Sequence, residues 1–188
     1  MVVAVGRGDA CQRAIGVART AIVTTRAFPQ NVFASPWARF LFFDPDTLFK
    51  AKFVEISRTL LASEDSACVC VCSLDDEARS TFYFERNTSV QGYQAWLLGS
   101  GPADGIVYMK GRFACASDKG TWSVYCERNT ELAVLALKEA DVSLPMLSAI
   151  RQLGALPIVE ALKTPPAYAL LPRGSTGSFR RELAEEYP

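Results

Sequence analysis

The stretch Cys68-Val69-Cys70-Val71-Cys72 decides the fold. Its strict alternation of two residue types has the period of a β-strand, so all three sulfurs are predicted on one face and both valines on the other. Cysteine and valine are both commonly buried, which indicates a strand covered on both sides. We therefore predict a core strand over residues 67–74.

An amphipathic helix precedes this strand. Asp44 can cap the free amides of a helix and Pro45 suits its first turn, so the helix is predicted to begin at Pro45 and to end at Ala62. The polar residues 63–66 separate it from the strand. Its apolar side chains recur at spacings of three, four and seven and form one stripe that needs a sheet to cover: Leu48, Phe49, Phe53, Ile56, Leu60 and Leu61.

Runs of β-prone residues follow the Cys-rich strand and alternate with turn-forming residues. Strands are predicted over residues 80–86, 93–98, 106–114, 122–126 and 132–137. The last of these is a short unbroken apolar run that fits a strand or a helix, and we favour the strand. Near the start of the chain, the run at residues 20–25 also favours a strand.

The last part of the chain is predicted to be helical. Ser143 can cap a helix that ends at Leu153, because Gly154 accepts the left-handed backbone that terminates helices. Further helices are predicted over residues 157–163 and 179–187.

These elements together predict an α+β fold. A largely antiparallel sheet of about five to seven strands is expected to pack against the helix at residues 45–62 and against the C-terminal helices. The chain has 188 residues, 49% hydrophobic and 21% charged, which suits one domain with one sizeable core. We predict a single domain over residues 1–188, with residues 1–19 and 165–188 as candidate peripheral segments.

The charge composition argues against several classes of partner. The chain has 20 basic and 20 acidic residues, so it has no net charge to attract phosphate backbones or anionic membranes. No stretch approaches the roughly 20 apolar residues that span a bilayer, and no secretory signal is visible. The Arg-rich start resembles an organelle presequence but lacks an amphipathic stripe. We expect a cytoplasmic protein that binds neither nucleic acid nor membrane, and the oligomeric state is left open.

The residue types also limit the available chemistry. The sequence has no histidine, which excludes His-activated nucleophiles, His acid–base catalysis and imidazole metal sites. It contains no glycine-rich phosphate loop and no dinucleotide-binding fingerprint. We therefore expect no cofactor, and we favour a non-enzymatic protein over an enzyme.

Six cysteines allow three interpretations. Core packing is favoured, because free cysteine is among the most buried residue types. A metal site would require Cys68, Cys70 and Cys72 to be completed by Cys115 or Cys126, although neighbouring same-face residues of a strand lie ~6.6 Å apart, a poor fit to a tetrahedral site. Redox chemistry is the third interpretation.

One short segment occurs twice in the chain. Residues 82–88 and 124–130 share Tyr, Glu, Arg, Asn and Thr at the same positions, and each copy leads from a strand into a turn. A recurrent strand-end turn is the simpler explanation. If the two Glu-Arg pairs lay together at one edge of the sheet, they could bind a partner. Alternatively, Glu85 and Glu127 could act as paired carboxylates in one pocket.

Acidic turns flank both ends of the Cys-rich strand, and exposed turns of this kind could form negative patches complementary to a basic partner. The candidate partner-binding residues are these turns together with the two Glu-Arg pairs: Glu64, Asp65, Asp75, Asp76, Glu77, Glu85, Arg86, Glu127 and Arg128.

A Trp-led strand, a Glu-Arg turn and an apolar strand follow one another in the segment Gly120-Thr121-Trp122-Ser123-Val124-Tyr125-Cys126-Glu127-Arg128-Asn129-Thr130-Glu131-Leu132-Ala133-Val134-Leu135-Ala136. This segment resembles small immunity proteins of bacterial polymorphic toxin systems. The resemblance implies a compact cytoplasmic α+β domain that needs no cofactor and neutralises a toxin by stoichiometric binding. It implies acidic and aromatic residues at the interface and transfers no role to any single residue.

Two hypotheses of function follow from these observations. The leading one is a non-enzymatic protein-binding module, an immunity protein that binds and neutralises a cognate bacterial toxin. The alternative is a small His-independent enzyme that uses carboxylate and arginine chemistry near Glu85 and Glu127.

Overall fold

The structure is a computed structural model that describes residues 7–75, 81–99, 111–163, 171 and 175–188. Within these ranges the fold is α+β, as predicted, with six α-helices and a six-stranded antiparallel sheet. The elements are, in chain order, α1 (Arg7–Thr20), β1 (Arg39–Phe43), a 3-10 helix (Pro45–Phe49), α2 (Phe53–Ser63), β2 (Val69–Ser73), β3 (Thr81–Phe84), α3 (Val90–Gly99), β4 (Arg112–Ser117), β5 (Trp122–Glu127), a second 3-10 helix (Arg128–Thr130), β6 (Leu132–Leu137), α4 (Leu144–Leu153), α5 (Ile158–Lys163) and α6 (Gly177–Glu186).

The strands lie in the order β1-β6-β5-β4-β2-β3, and every neighbouring pair is antiparallel. Side chains in register across the strands share a face of the sheet. The face that carries Val71, called the valine face, holds larger apolar residues, for example Leu41, Leu135 and Val124. The opposite face carries Cys68, Cys70 and Cys72 and is called the cysteine face. The predicted alternation of β2 is confirmed.

Helices cover both faces of the sheet and make a three-layer fold. Buried residues of α2, α3 and α4 pack on the valine face, and buried residues of α1, α5 and α6 pack on the cysteine face. Both layers exclude water from β2, which explains why all five of its residues are buried. None of the helices in the described ranges is long and apolar enough to cross a membrane.

Helix α1 covers β2 and β4 through a stripe of small residues. Ala10, Ala14 and Ala18 recur every fourth residue and are buried. The opposing part of the cysteine face is also lined by small side chains, including Cys70 and Ala116. Small residues on both sides allow the helix backbone to lie close to the sheet. This helix occupies most of residues 1–19, which the sequence left as a candidate peripheral segment.

The strand predicted for residues 20–25 is wrong. Helix α1 continues to Thr20, and beyond it only Ile22 forms an isolated antiparallel bridge, with Phe33. The β-branched residues there lie in a loop that packs partly on the cysteine face. Tertiary packing of this loop therefore overrides the local β-propensity.

The strand predicted for residues 93–98 is also wrong, because this segment lies inside α3. Tyr93, Trp96 and Leu97 have the i, i+3, i+4 spacing of a helix face, and all three pack on the valine face. The hydroxyl group of Tyr93 donates to the backbone carbonyl of Leu48. The aromatic residues of this run thus anchor a helix to the core.

The helix predicted over residues 45–62 is divided in two. Asp44 caps the first part as expected, since its side chain accepts a hydrogen bond from the Asp46 amide at 2.8 Å. The backbone of Lys50 is extended and ends the 3-10 helix, and α2 begins three residues later. Together the two parts present the predicted apolar stripe to the valine face.

Several other predicted boundaries are confirmed. Residues 132–137 form β6, and Ser143 caps α4 by accepting a hydrogen bond from the Met146 amide. Gly154 ends that helix with a left-handed backbone at φ 68°. Of the strand predicted over residues 106–114, the part before residue 111 lies outside the described residues.

Candidate functional site

The antiparallel register separates the predicted partner-binding residues into two groups. Glu85 directly follows β3, whose last residue pairs with Val69 at the start of β2. Val69 also pairs with Ser117 at the end of β4. Glu127 pairs with Arg112 at the start of β4. Glu85 and Glu127 therefore lie at opposite ends of the sheet, called the Glu85 end and the Glu127 end.

This separation bears on both ideas about the repeated segment. The two Glu-Arg pairs do not share one edge of the sheet, so the prediction of a joint binding site is wrong. Glu85 and Glu127 likewise do not meet in one pocket. They therefore cannot act together on one substrate, as a pair of catalytic carboxylates must. Both copies do form turns after a strand. In the first copy, the Thr88 hydroxyl accepts from the Glu85 amide at 2.8 Å; in the second, the Thr130 hydroxyl donates to the Glu127 carbonyl at 3.1 Å.

At the Glu127 end, the charged residues hold elements of the fold together. Glu127 is only 7% exposed, and its carboxylate accepts hydrogen bonds from the Tyr125 hydroxyl at 2.8 Å and the Phe28 amide at 3.2 Å. Burial, and then the charge of Glu127, raise the pKa of Tyr125 well above its ordinary value. The loop around Phe28 is thereby fixed to the sheet by a buried acid.

Two ion pairs complete the Glu127 end. One oxygen of the Asp75 carboxylate accepts from Nε of Arg112 at 2.8 Å and from its Nη2 at 2.6 Å, and the other oxygen accepts from the backbone amide of Arg112 at 2.7 Å. Arg128 pairs with Asp46, and its guanidinium lies 5.5 Å from the centre of the Phe49 ring. Arg128 is largely covered, with 11% of its side chain exposed. These contacts fix the first 3-10 helix against the turn after β5.

The Glu85 end is different, because acidic groups there lie around an open cavity of about 150 Å³. Glu64 follows the last residue of α2, and its carboxylate accepts from Nε1 of the buried Trp122 at 2.9 Å and from the Thr121 hydroxyl. These two donors fix the position of the Glu64 carboxylate at the cavity wall. Glu139 and Asp141, from the segment after β6, line the same cavity.

The N-terminus of α4 closes the other side of this cavity. The Ser143 hydroxyl donates to the Ser63 carbonyl at 3.2 Å, which joins the start of α4 to the end of α2. Leu144 follows as the first residue of α4 and is 81% exposed, a large apolar side chain left in solvent. Glu64, Glu139, Asp141 and Leu144 together are called the acidic rim.

The acidic rim carries negative charge that nearby cations do not neutralise. Across the described part of the chain, neither Glu139 nor Asp141 forms an ion pair, and Glu64 is held by uncharged donors. Beside the rim, Asp65 has a left-handed backbone at φ 49° and pairs with Arg86 at 2.5 Å. Both partners of that pair are exposed, so solvent screens it strongly.

The structure thus places Glu64, Asp65, Glu85 and Arg86 at one end of the sheet and Asp75, Glu127 and Arg128 at the other. Asp76 and Glu77 lie outside the described residues. Glu139, Asp141 and Leu144 were not among the predicted residues. The predicted cap at Ser143 was a signal that a helix begins there, but its contact with Ser63 depends on the tertiary fold.

The cysteines divide between the two faces of the sheet. Cys68, Cys70 and Cys72 lie on the cysteine face, whereas Cys115 and Cys126 lie on the valine face. A metal site that combines the two sets is therefore wrong. Among the residues that the structure describes, no group of three or more Cys, Asp or Glu has the arrangement of a metal site.

The acidic rim offers fixed hydrogen-bond acceptors, concentrated negative charge and one exposed apolar side chain. These are properties of a surface that binds a basic partner. Comparison of this chain with protein-family models, with curated proteins and with solved structures finds no match.

Proposed function

We propose that this chain is a non-enzymatic protein-binding module of the immunity-protein kind, which neutralises a toxin by covering a basic surface of it with the acidic rim. The observation that carries the proposal is the convergence of Glu64, Glu139 and Asp141 on one open cavity without a compensating cation among the described residues.

Electrostatics supports a protein partner in particular. Interfaces pair surfaces of opposite potential, and such pairing increases the association rate and selects the partner. The chain as a whole is neutral, with 20 basic and 20 acidic residues, so the negative charge of the rim is local. A local patch suits a partner that presents a compact basic surface, such as the substrate-binding cleft of a toxin.

The exposed Leu144 supports the same conclusion. Interfaces commonly combine an apolar anchor with a polar surround that excludes water. Leu144 lies in the first turn of α4, next to the cavity lined by the acids. While exposed, this side chain contributes little hydrophobic free energy to the stability of the free chain. Its burial in an interface would favour association.

The test uses the purified chain and the product of the neighbouring gene, which the proposal expects to be a toxin. We expect stable one-to-one binding, measured by calorimetry, and loss of toxicity when the two are coexpressed. The Glu139→Lys, Asp141→Lys double variant should bind at least tenfold more weakly, and the difference should shrink as salt screens the charges. The Leu144→Ser variant should also weaken binding.

Matched controls separate a local role from a general one. Glu182 and Glu185 are exposed on α6, which packs on the other face of the sheet, so the Glu182→Lys, Glu185→Lys variant makes the same change of net charge elsewhere. Leu98→Ser removes a comparably exposed leucine from α3. Both controls should bind like the parent. Absence of binding and protection would refute the proposal, and equal loss in test and control variants would refute the assigned surface.

A further inference from the structure

Helix α1 brings two cysteines that are far apart in sequence into direct contact. The Sγ atoms of Cys11 and Cys68 lie 2.7 Å apart, and both residues are free thiols. Cys68 is fully buried immediately before β2, whereas Cys11 is partly exposed on α1. Cys11 is therefore the more accessible residue of the pair, and the sulfur of the buried Cys68 is in contact with its sulfur.

The surroundings of this pair hold it in place. Arg13, two residues after Cys11 on α1, forms an ion pair with Asp118 at 3.3 Å. The other oxygen of Asp118 accepts from the backbone amides of Ala67 and Cys68 at 3.0 and 3.1 Å. A single buried carboxylate thus connects the N-terminal half of α1 to the backbone of Cys68. The buried alanine stripe of α1 also packs on the cysteine face and holds the helix against the sheet.

We propose that Cys11 and Cys68 are a thiol–disulfide modification site, in which a small disulfide such as oxidised glutathione converts the pair into a bridge between α1 and β2. The contact distance, the different exposure of the two residues and the anchoring through Asp118 carry this inference. It is independent of the proposed binding function, because the pair lies under α1 on the cysteine face and not in the acidic rim.

The reaction is a two-step exchange. The Cys11 thiolate attacks one sulfur of glutathione disulfide, a Cys11–glutathione bond forms, and the first glutathione leaves and takes up the proton that Cys11 lost. The Cys68 sulfur then attacks the Cys11 sulfur, the protein bridge forms, and the second glutathione leaves with the Cys68 proton. Two protein thiols lose two electrons in total, and one glutathione disulfide is reduced to two thiols.

The environment of the thiols sets the order of these steps. Burial raises the pKa of Cys68 well above its ordinary value, so this thiol is a poor first nucleophile. Its position beside Cys11 makes it the resolving thiol. The Cα atoms of Cys70 and Cys72 lie further along β2, about 6.6 Å and about 13 Å from that of Cys68 by strand geometry, whereas the Cys68 sulfur is in direct contact with Cys11.

The experiment treats the purified full chain with oxidised glutathione and measures its intact mass and its disulfide-linked peptides. We expect a loss of about 2 Da, corresponding to two hydrogens, and a linked peptide pair that contains Cys11 and Cys68. The bridge closes a long loop, so the midpoint of thermal unfolding should rise by roughly 5–15 °C. Dithiothreitol should reverse both changes.

Three variants make the result decisive. Cys11→Ala should abolish the bridge and the thermal shift, while Cys68→Ala should stop at a mixed disulfide of Cys11 with one glutathione. Cys70→Ala, on the same strand and face, should form the bridge like the parent. If Cys68→Ala does not fold, Cys11→Ala and Cys70→Ala still decide the question. Persistently free thiols, a bridge to Cys70 or Cys72, or a bridge between two molecules would overturn the proposal.

Discussion

At the scale of single residues, Glu127 shows how a charged side chain can serve the core. A buried carboxylate is costly unless donors compensate for the lost hydration. Tyr125 and the Phe28 amide supply two such donors, and they come from a strand and from a distant loop. The acid therefore links β5 to the loop around Phe28.

Removal of the Glu127 carboxylate should consequently destabilise the fold. Glu127→Ala leaves the Tyr125 hydroxyl and the Phe28 amide without this acceptor, and we expect the free energy of unfolding to fall by about 2–4 kcal/mol. Glu127→Gln keeps an acceptor and should lose less. Glu182→Ala, at an exposed position of α6, should be close to neutral. Urea unfolding measures all three, and an alanine variant as stable as the parent would show that these hydrogen bonds contribute nothing.

At the scale of elements, helix α1 depends on the size of its side chains. Ala10, Ala14 and Ala18 are buried against a part of the sheet that is itself lined by cysteine, alanine and serine. Apolar burial per alanine is small, so close contact over the whole stripe holds the helix in place. A similar close approach occurs at Gly120, where an added Cβ would lie 3.1 Å from a Val17 methyl group.

A larger side chain in the stripe should separate α1 from the sheet. Ala14→Leu inserts three carbon atoms where close packing leaves no room for them, and we expect a loss of about 1–3 kcal/mol in stability. Gln12→Leu makes an apolar leucine at an exposed position of the same helix and should change stability little. Chemical denaturation compares the two. Equal stability of Ala14→Leu and the parent would contradict the close packing of this helix.

The elements also show what the sequence could and could not predict. The alternation in β2, the cap at Ser143 and the end at Gly154 were predictable, because each depends on neighbours in the sequence. Helix α1 was not, since its buried stripe is alanine and gives little hydrophobic contrast. Helix α3 was misread because its aromatic residues favour strands, although Tyr93, Trp96 and Leu97 have helical spacing.

At the scale of the whole molecule, the candidate site depends on topology. The turn at Glu64 was recognisable as acidic from the sequence. The residues that lie beside it in space, Glu139 and Asp141, come from a segment some seventy-five residues later in the chain. The antiparallel order of the strands decides which turns share an end of the sheet. The same order separates Glu85 from Glu127, which no local pattern indicates.

The stability of the fold should fall at alkaline pH because of buried thiols in the core. Burial raises the pKa of Cys115 and Cys126 well above its ordinary value, whereas an unfolded thiol titrates at about 8.5. Above that pH the unfolded chain loses protons that the folded chain retains, so the stability present at lower pH is lost as the pH rises. The expected loss for each thiol is about 1 kcal/mol between pH 8.5 and pH 9.5 and approaches about 1.4 kcal/mol per pH unit at higher pH.

The Cys115→Ala, Cys126→Ala variant isolates this effect. Both residues lie on the valine face, opposite the face that carries Cys72, whose pKa is lowered by its hydrogen bond with Cys70 and by Arg19 and which therefore acts in the opposite direction. With reductant present, urea unfolding between about pH 8.5 and pH 9.5 should show a slope shallower by about 2 kcal/mol per pH unit in the variant. Cavity formation lowers stability equally at each pH and leaves this slope unchanged. Parallel pH curves for parent and variant would mean that the two thiols ionise equally easily in the folded and unfolded chains.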